Sequence, residues 1–547
     1  MKKHSKILIC LVLVVVLLVS AVSLAACSVN SSLIEKRGGG QAIVLVTALM
    51  SGGLYDNKTG DALWDPFYFE DVTLPDVLAL LEMDDMMNSQ ELQDIIGKVM
   101  NTKVDFIVDE DGKPVYDTFI SYVLEELLWP ILNYPGPNAD EDDYNDYIAQ
   151  YGSLDASLLH NISLDQHGNS LNKNIVPSND YNGPHKNLQY GVMGAYKSQI
   201  VTLAEKYPDY DVVIFNYDWR LDVEHNEELF EQFLAKKKYS KIILTTHSLG
   251  GQVCNKFLAK SQKNRDMVDA FIMYSPATLG ATMALAYLNN AWDALDDYVG
   301  MIDDVVDMVV DMMGSMGATV ANSVLDSLGD LMNGQAKYFL ENLSSVIQLL
   351  PSFEMIKTYH DAEGIWILKD ENGNDITSED DLFTYYESRP WAWQYDESKE
   401  PTDPDYWIMN GTKHVLKDKV ASLREHQHSL YVEQEDGTKV LAADLVNTYY
   451  LIGAYKDTIV KYDESINAGW TYTMEDAKGS VNKYTKMEGD GIVPMYSLLC
   501  GHTEAEIEAL YGEGHCIKYH HEHNVVGTDF TNVTGEDVIK IITEIGW

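Results

Sequence analysis

Cysteine is scarce in this chain, five residues in 547, and basic residues are outnumbered more than two to one, 39 Lys and Arg against 85 Asp and Glu. The shortage of cysteine excludes a disulfide-framed fold. Cys254, Cys500 and Cys516 are too few for a framework, although an exported chain can join Cys500 to Cys516. The core must therefore stabilise itself by burial, and 46% hydrophobic residues supply the material. A formal charge of −46 repels phosphate backbones, and no run of Lys or Arg makes a local exception, so nucleic acid is excluded as a partner. The same hydrophobic content excludes a disordered acidic chain. Three acidic segments, Asp109-Glu110-Asp111-Gly112, Asp370-Glu371-Asn372-Gly373 and Glu435-Asp436-Gly437, lack the alternating acids and distant Glu of a calcium loop. They read as hairpin turns between β-like runs.

Residues 1–26 carry Lys2, Lys3 and Lys6, then a mainly apolar run from Ile7 to Val19, then small residues up to Ala26. That order predicts a secretory signal rather than part of the fold. Leu24-Ala25-Ala26-Cys27 resembles the bacterial lipobox, which makes Cys27 the expected lipidation site of an exported protein held at the outer face of a bacterial cell membrane. Two or more acyl chains anchor stably where one is marginal. Residues 27–40, ending in Gly38-Gly39-Gly40, read as a flexible linker from lipid to domain. Without residues 1–26 the balance is 36 basic against 85 acidic residues, a charge of −49.

Four short apolar segments, Ala42 to Val46, Asp211 to Asn216, Lys241 to Thr245 and Ala270 to Tyr274, lack alternation and suit strands buried on both faces. Helical patterns at Gly194 to Lys206, Asn226 to Lys236 and Gly251 to Lys260 precede the last three. This alternation predicts an α/β fold, a doubly wound and mostly parallel sheet within residues 41–547. Two stretches, about 55–185 and 278–445, break it and are expected to be cap insertions. The first holds helical patterns at Leu74 to Met100 and Thr118 to Leu132; the second opens with one at Leu288 to Met313.

The third strand candidate runs into Thr245-Thr246-His247-Ser248-Leu249-Gly250-Gly251 and a helix follows at once. A serine on a sharp strand-to-helix turn is lifted clear of the sheet, so Ser248 is the candidate nucleophile. The helix start supplies partial positive charge, and the Leu249 N–H points where an oxyanion forms. A hydroxyl at neutral pH needs a base, and the base an orienting acid. The tail offers both: Asp490 within Glu488-Gly489-Asp490-Gly491-Ile492-Val493-Pro494, and a base within His520-His521-Glu522-His523. His515 and that tract also raise a zinc reading, but their spacing gives one coordinating face only loosely, and no metal or cofactor is expected.

Tyr217-Asp218-Trp219-Arg220, Thr246-His247-Ser248-Leu249-Gly250-Gly251 and Gly489-Asp490-Gly491-Ile492-Val493-Pro494 together resemble the lecithin:cholesterol acyltransferase and lysosomal phospholipase family of α/β-hydrolases. Further echoes are Tyr190-Gly191-Val192, Ser275-Pro276, Leu279-Gly280, Leu349-Leu350-Pro351-Ser352 and Tyr450-Leu451-Ile452-Gly453, so the likeness runs from about Ala42 to Ile542. It implies an α/β-hydrolase fold, Ser248 as nucleophile and Asp490 as acid. It implies His523 as base, with His520 and His521 as fallbacks, because the family's histidine stands shortly before the last helix. It also implies a second oxyanion donor just after the first strand, the N–H of Leu49. The sequence departs from the pattern where Pro-Gly has become Thr47-Ala48, where the elbow's first glycine has become Thr246, and in lacking a disulfide near the first strand.

The implied substrate is a lipid ester, phospholipid or acylglycerol, cleaved by water or passed to an alcohol. Met301, Met308, Met312, Met313 and Met316 suit a deformable acyl-binding surface or simply the core of a cap. Trp64, Trp129 and Trp219 suit a membrane surface or a core equally. Three other readings remain: a carboxylesterase of soluble esters with the same triad, a lipid-binding lipoprotein without catalysis, and a zinc hydrolase. Oligomeric state is not legible.

Overall fold

In the segment Gly40–Val46 (β1), Ala42, Val44 and Val46 face one way and Ile43 and Leu45 the other; all five are buried, so this strand needs cover on both sides. The computed structural model describes residues 40–58, 62–64, 107–108, 114–115, 162–177, 193–289, 337–394, 415–465 and 484–547. The remaining strands used below are Asp211–Phe215 (β2), Tyr239–His247 (β3), Val268–Tyr274 (β4), Thr448–Gly453 (β5), Lys456–Asp463 (β6), Tyr484–Gly489 (β7) and Cys516–Tyr519 (β8). Six of them form one sheet in the order β8-β5-β4-β3-β1-β2, every pair parallel. The predicted α/β fold and its four strand candidates are thus present. The sheet gains β5, which contains the Tyr450-Leu451-Ile452-Gly453 echo, and the edge strand β8.

Helices cover both faces. On one side Met193–Lys206 (α1), His523–Thr528 (α5), the short turn Phe530–Thr534 and Gly535–Glu544 (α6) bury Tyr196, Ile200, Leu203, Val526, Phe530 and Ile541 against Ile43, Leu45, Ile243 and Ile272. On the other, Val223–Lys237 (α2) and Gly250–Lys260 (α3) bury Phe230, Leu234, Val253 and Phe257 against Val44, Phe215, Leu244 and Phe271. Each such side chain removed from water contributes roughly 1.5–3 kcal/mol. The chain leaves β1 for β2 at one side and returns to β3 at the other, so the C-terminal ends of β1 and β3 lie beside a topological switch, where ligands of such sheets bind.

The described part of the second insertion shares a core with the sheet's helices. Leu350, Tyr359, Leu382, Tyr386, Trp391 and Leu423 join the same core as α2 and α3. Its helix Lys417–Ser429 (α4) is pinned by a buried histidine: His426 Nδ1 lies 2.9 Å from Glu224 Oε1 and Nε2 3.1 Å from Gln252 Oε1, at the starts of α2 and α3. Gln348 Nε2 donates to Glu224 Oε2 at 2.7 Å and Lys256 Nζ lies 3.3 Å from Oε1.

In the first insertion, Leu54–Asp56, Ala62–Trp64 and Ile175–Pro177 form a three-stranded antiparallel sheet. The runs flanking Asp109 to Gly112 pair antiparallel, as do those flanking Glu435 to Gly437, and at Asp370 the carboxylate accepts the N–H groups of Asn372 and Asn374. The Asp370 and Glu435 segments are thus the expected hairpin turns, while Asp109 to Gly112 themselves lie outside the described residues. Cys254, Cys500 and Cys516 are free thiols, so the pairing of Cys500 with Cys516 is not made; burial pushes both of those thiols up to about 12. Cys27, Trp129, the methionines between Met301 and Met316, the patterns at Leu74 to Met100 and Thr118 to Leu132, and all but the start of Leu288 to Met313 lie outside the described residues. No helix among the described residues is long and apolar enough to cross a membrane.

Glu224 gives this anchor a pH dependence. Burial raises its carboxyl, but the hydrogen bond and charge of His426, the charge of Lys256 and the Gln348 amide outweigh burial and leave it at about 2, below its ordinary 4.5. A depressed carboxylate contributes stability that is complete above about pH 4.5 and lost as pH falls toward about 2. Urea midpoints measured across that window should fall more steeply for the wild type than for Glu224→Gln. Parallel curves would show that the anchor adds nothing to acid stability.

Candidate active site

The strand β3 ends at His247, and Ser248 turns with a φ of 55°, a left-handed conformation that an L side chain rarely adopts and that only surrounding contacts can hold. Its N–H donates to Tyr274 O at 3.2 Å, and its carbonyl accepts from Gly251 N at 2.9 Å and Ala277 N at 3.2 Å. The helix α3 starts two residues on, as the strand-turn-helix pattern predicts. Gly250 must be glycine: a Cβ there would stand 2.6 Å from Thr47 O and 2.8 Å from Val46 O. Thr246, where the family pattern has glycine, is accommodated because its hydroxyl donates to Val46 O at 3.3 Å.

Because Val46 is in register with Thr246, the turn after β1 lies next to the elbow after β3. Aromatic side chains brace that turn. Tyr217 Oη donates to Thr47 O at 2.9 Å, Trp64 Nε1 to Met50 O at 2.8 Å, and Trp219 Nε1 to Gly52 O at 2.9 Å. The Trp64 and Trp219 rings meet edge to face, 5.3 Å apart. Both tryptophans are therefore braces of the turn, and Trp219 is fully buried. Asp218 and Arg220 lock the tetrapeptide from beneath: Arg220, with no exposed surface, donates to both Asp218 oxygens at 2.8 and 2.6 Å and to Ile162 O at 2.9 Å. Among the described residues, neither the Leu49 N–H nor the Leu249 N–H has a hydrogen-bond acceptor.

An antiparallel pair that the sequence did not reveal, β6 with β7, delivers Asp490 at its end, where Lys456 lies opposite Gly489. Asp490 is fully buried, and its Oδ1 accepts the N–H groups of Ile492 at 3.0 Å and Val493 at 2.7 Å. Its Oδ2 lies 2.6 Å from His523 Nδ1, and its carbonyl accepts the His523 N–H at 2.9 Å. Since a carboxylate only accepts, the hydrogen of this bond is carried on Nδ1. Gly491, with φ 96°, turns its N–H onto Thr458 Oγ1 at 2.8 Å and closes the loop.

Of the tail histidines, His523 alone pairs with Asp490. His520 stacks on Tyr455 at 4.1 Å, and His515 stacks on Tyr449 with Nδ1 2.7 Å from Thr448 O. No group of three or more His, Cys, Asp or Glu among the described residues is placed to hold one metal ion. Ser248 Oγ makes no hydrogen bond to the His523 ring among the described residues; their link is His247, whose ring centroid is 4.9 Å from that of His523 and whose Nε2 lies 3.2 Å from His523 O. His247 and its partner Tyr196 adjoin this pair and were not picked out as site residues in the sequence, although both lie inside segments singled out there. A cavity of about 980 Å³ beside α3 and α4, lined by Glu224, Lys256, Gln348 and His426 among others, includes neither Ser248 nor Asp490 nor His523.

Residues 198–508, more than half of the chain, match the lecithin:cholesterol acyltransferase family. No curated protein matches. A chain in the crystal structure of the Tle4-Tli4 complex is similar at 13% identity and a TM-score of 0.36, over 93% of this chain and 100% of that one.

The crowding at the elbow sets a test. Gly250→Ala must push the end of β1 away, so it should destabilise the protein by about 1–3 kcal/mol in urea titration. Unchanged stability would mean that β1 and the elbow are not in this contact.

Proposed function

The chain belongs to the lecithin:cholesterol acyltransferase family, and from that premise we propose that Ser248, His523 and Asp490 are its catalytic triad in acyl transfer from a phospholipid or acylglycerol. Membership makes the coarse activity that of a lipid-ester acyltransferase or hydrolase. The observation that carries the finer reading is the Asp490–His523 pair, bonded through side chain and main chain and adjoining the residue before a strained serine.

In the proposed reaction Ser248 Oγ attacks the ester carbonyl while His523 Nε2 takes the hydroxyl proton, which requires the two atoms to come within about 3 Å. Asp490 holds the imidazole in the tautomer with hydrogen on Nδ1 and stabilises the imidazolium that forms. The N–H groups of Leu49 and Leu249 receive the oxyanion, a role supported by their lack of other acceptors. The intermediate collapses as His523 passes its proton to the departing alcohol, leaving an acyl-serine. Water or a lipid alcohol then reverses these steps at the acyl group. The lipobox-like segment supports lipidation at Cys27 and a place at the outer face of a bacterial cell membrane, close to such substrates.

A fluorophosphonate probe should label Ser248, located by peptide mapping, and Ser248→Ala should lose both label and phospholipid cleavage. Asp490→Asn should keep the fold and lose about ten-thousandfold in kcat. Full activity in Ser248→Ala would remove the proposal, and turnover confined to short soluble esters would make the protein a carboxylesterase.

A further inference from the structure

Next to the proposed triad, and on the α1 side of the sheet, three hydrogen bonds run in series between elements far apart in sequence. Ala48 N lies 3.3 Å from Tyr196 Oη, Tyr196 Oη 2.9 Å from His247 Nδ1, and His247 Nε2 3.2 Å from His523 O. All four groups are buried. The direction of each bond follows from chemistry. Burial, and then the charge of His523 beside it, hold His247 well below its ordinary range, so it is neutral and has one N–H. The His523 carbonyl can only accept, so that hydrogen sits on Nε2, and Nδ1 presents a lone pair. Burial pushes the Tyr196 hydroxyl up to about 12, so it keeps its hydrogen and gives it to Nδ1, in preference to Ser51 Oγ at 3.4 Å. Its oxygen then accepts the Ala48 N–H.

We propose that Tyr196 and His247 are positioning residues of the acyl-transfer site, a relay that fixes the oxyanion turn at one end and the catalytic base at the other. Ala48 directly precedes Leu49, whose N–H is the proposed oxyanion donor, and His523 O belongs to the base itself. His247 directly precedes the nucleophile. One neutral imidazole therefore sets the mutual placement of all three reacting parts. The fit around it is close: a Cβ on Gly527 of α5 would come within 2.5 Å of the His247 ring, so that glycine is what lets the helix of the base close over the relay. Tautomer matters as well as shape, since with hydrogen on Nδ1 the imidazole would offer lone pairs to the His523 carbonyl and a second hydrogen to Tyr196. Neutrality matters too, because His523 becomes cationic during acylation and a charged His247 would oppose it.

The proposal rests on Ser248 being the nucleophile, so wild-type labelling at Ser248 is established first. Tyr196→Phe, His247→Phe and His247→Gln are then compared per folded molecule, counted from cooperative thermal unfolding. Misplaced reacting groups cost up to about a hundredfold in rate, so Tyr196→Phe and His247→Phe should lower kcat and the fluorophosphonate labelling rate together by about tenfold to a hundredfold, with KM within about twofold. His247→Gln can donate its amide to His523 O and accept from Tyr196, and should recover much of the loss. A merely structural role predicts lower stability with kcat per folded molecule unchanged and glutamine no better than phenylalanine; that pattern overturns the relay and leaves Ser248 as nucleophile. If wild type takes no label on Ser248, the parent reading fails instead. Should Tyr196→Phe not fold, the contrast between His247→Gln and His247→Phe decides.

Discussion

The parallel pairing of β1 with β3 is the contact on which the rest depends. With Val46 opposite Thr246, two strands separated by two hundred residues end side by side, and each delivers a turn into the same crevice. Gly250 allows the turns to touch at carbonyl distance, two residues from Ser248 in its left-handed conformation. A slip of one residue would exchange the buried faces of β1 and expose Ala42, Val44 and Val46 to the wrong layer. Register here is thus enforced by the core and read out at the site.

Around that pairing the molecule spends aromatic rings on hydrogen bonds to main-chain carbonyls. Tyr217, Trp219 and Trp64 each donate to a different carbonyl of the turn after β1, and Arg220 with Asp218 holds the tetrapeptide that supplies two of them. A buried ion pair of this kind adds little net stability, yet breaking it by removing one partner leaves a buried charge, at about 3–5 kcal/mol. Its value is placement. The Tyr-Asp-Trp-Arg signature is thus a support for the turn bearing Leu49 rather than a set of groups aimed at substrate.

Much of this was legible in the sequence. Apolar runs without alternation gave the buried strands, and the motif around Ser248 gave the elbow, because both signals are local. Asp490 and the histidine tract were legible in the tail, but the choice of His523 within that tract came through the order of residues in a known family; the pairing joins positions thirty-three apart, and Asp490 is held at the end of the β6–β7 pair, which the sequence did not announce. The second insertion was expected as a cap. Its described part joins the core of α2 and α3, a packing the sequence could not place, since a pattern of apolar residues says that a face is buried and not what buries it. Trp64 and Trp219 were decided by where their indole N–H groups go. His247 escaped notice because its role depends on Tyr196, fifty-one residues away, and on the main chain of His523.

The order in which these parts leave the ribosome differs from the order in which they act. Leu49 and Ser248 can meet once β1 and β3 exist, but the acid and the base lie beyond Gly489, and the bond from His247 to His523 spans 276 positions. A nascent or truncated chain can own its elbow and its oxyanion turn while holding no base at all. Under the proposed triad such a chain would be inert toward lipid esters, and chemistry would begin only when the last helices dock on the finished sheet.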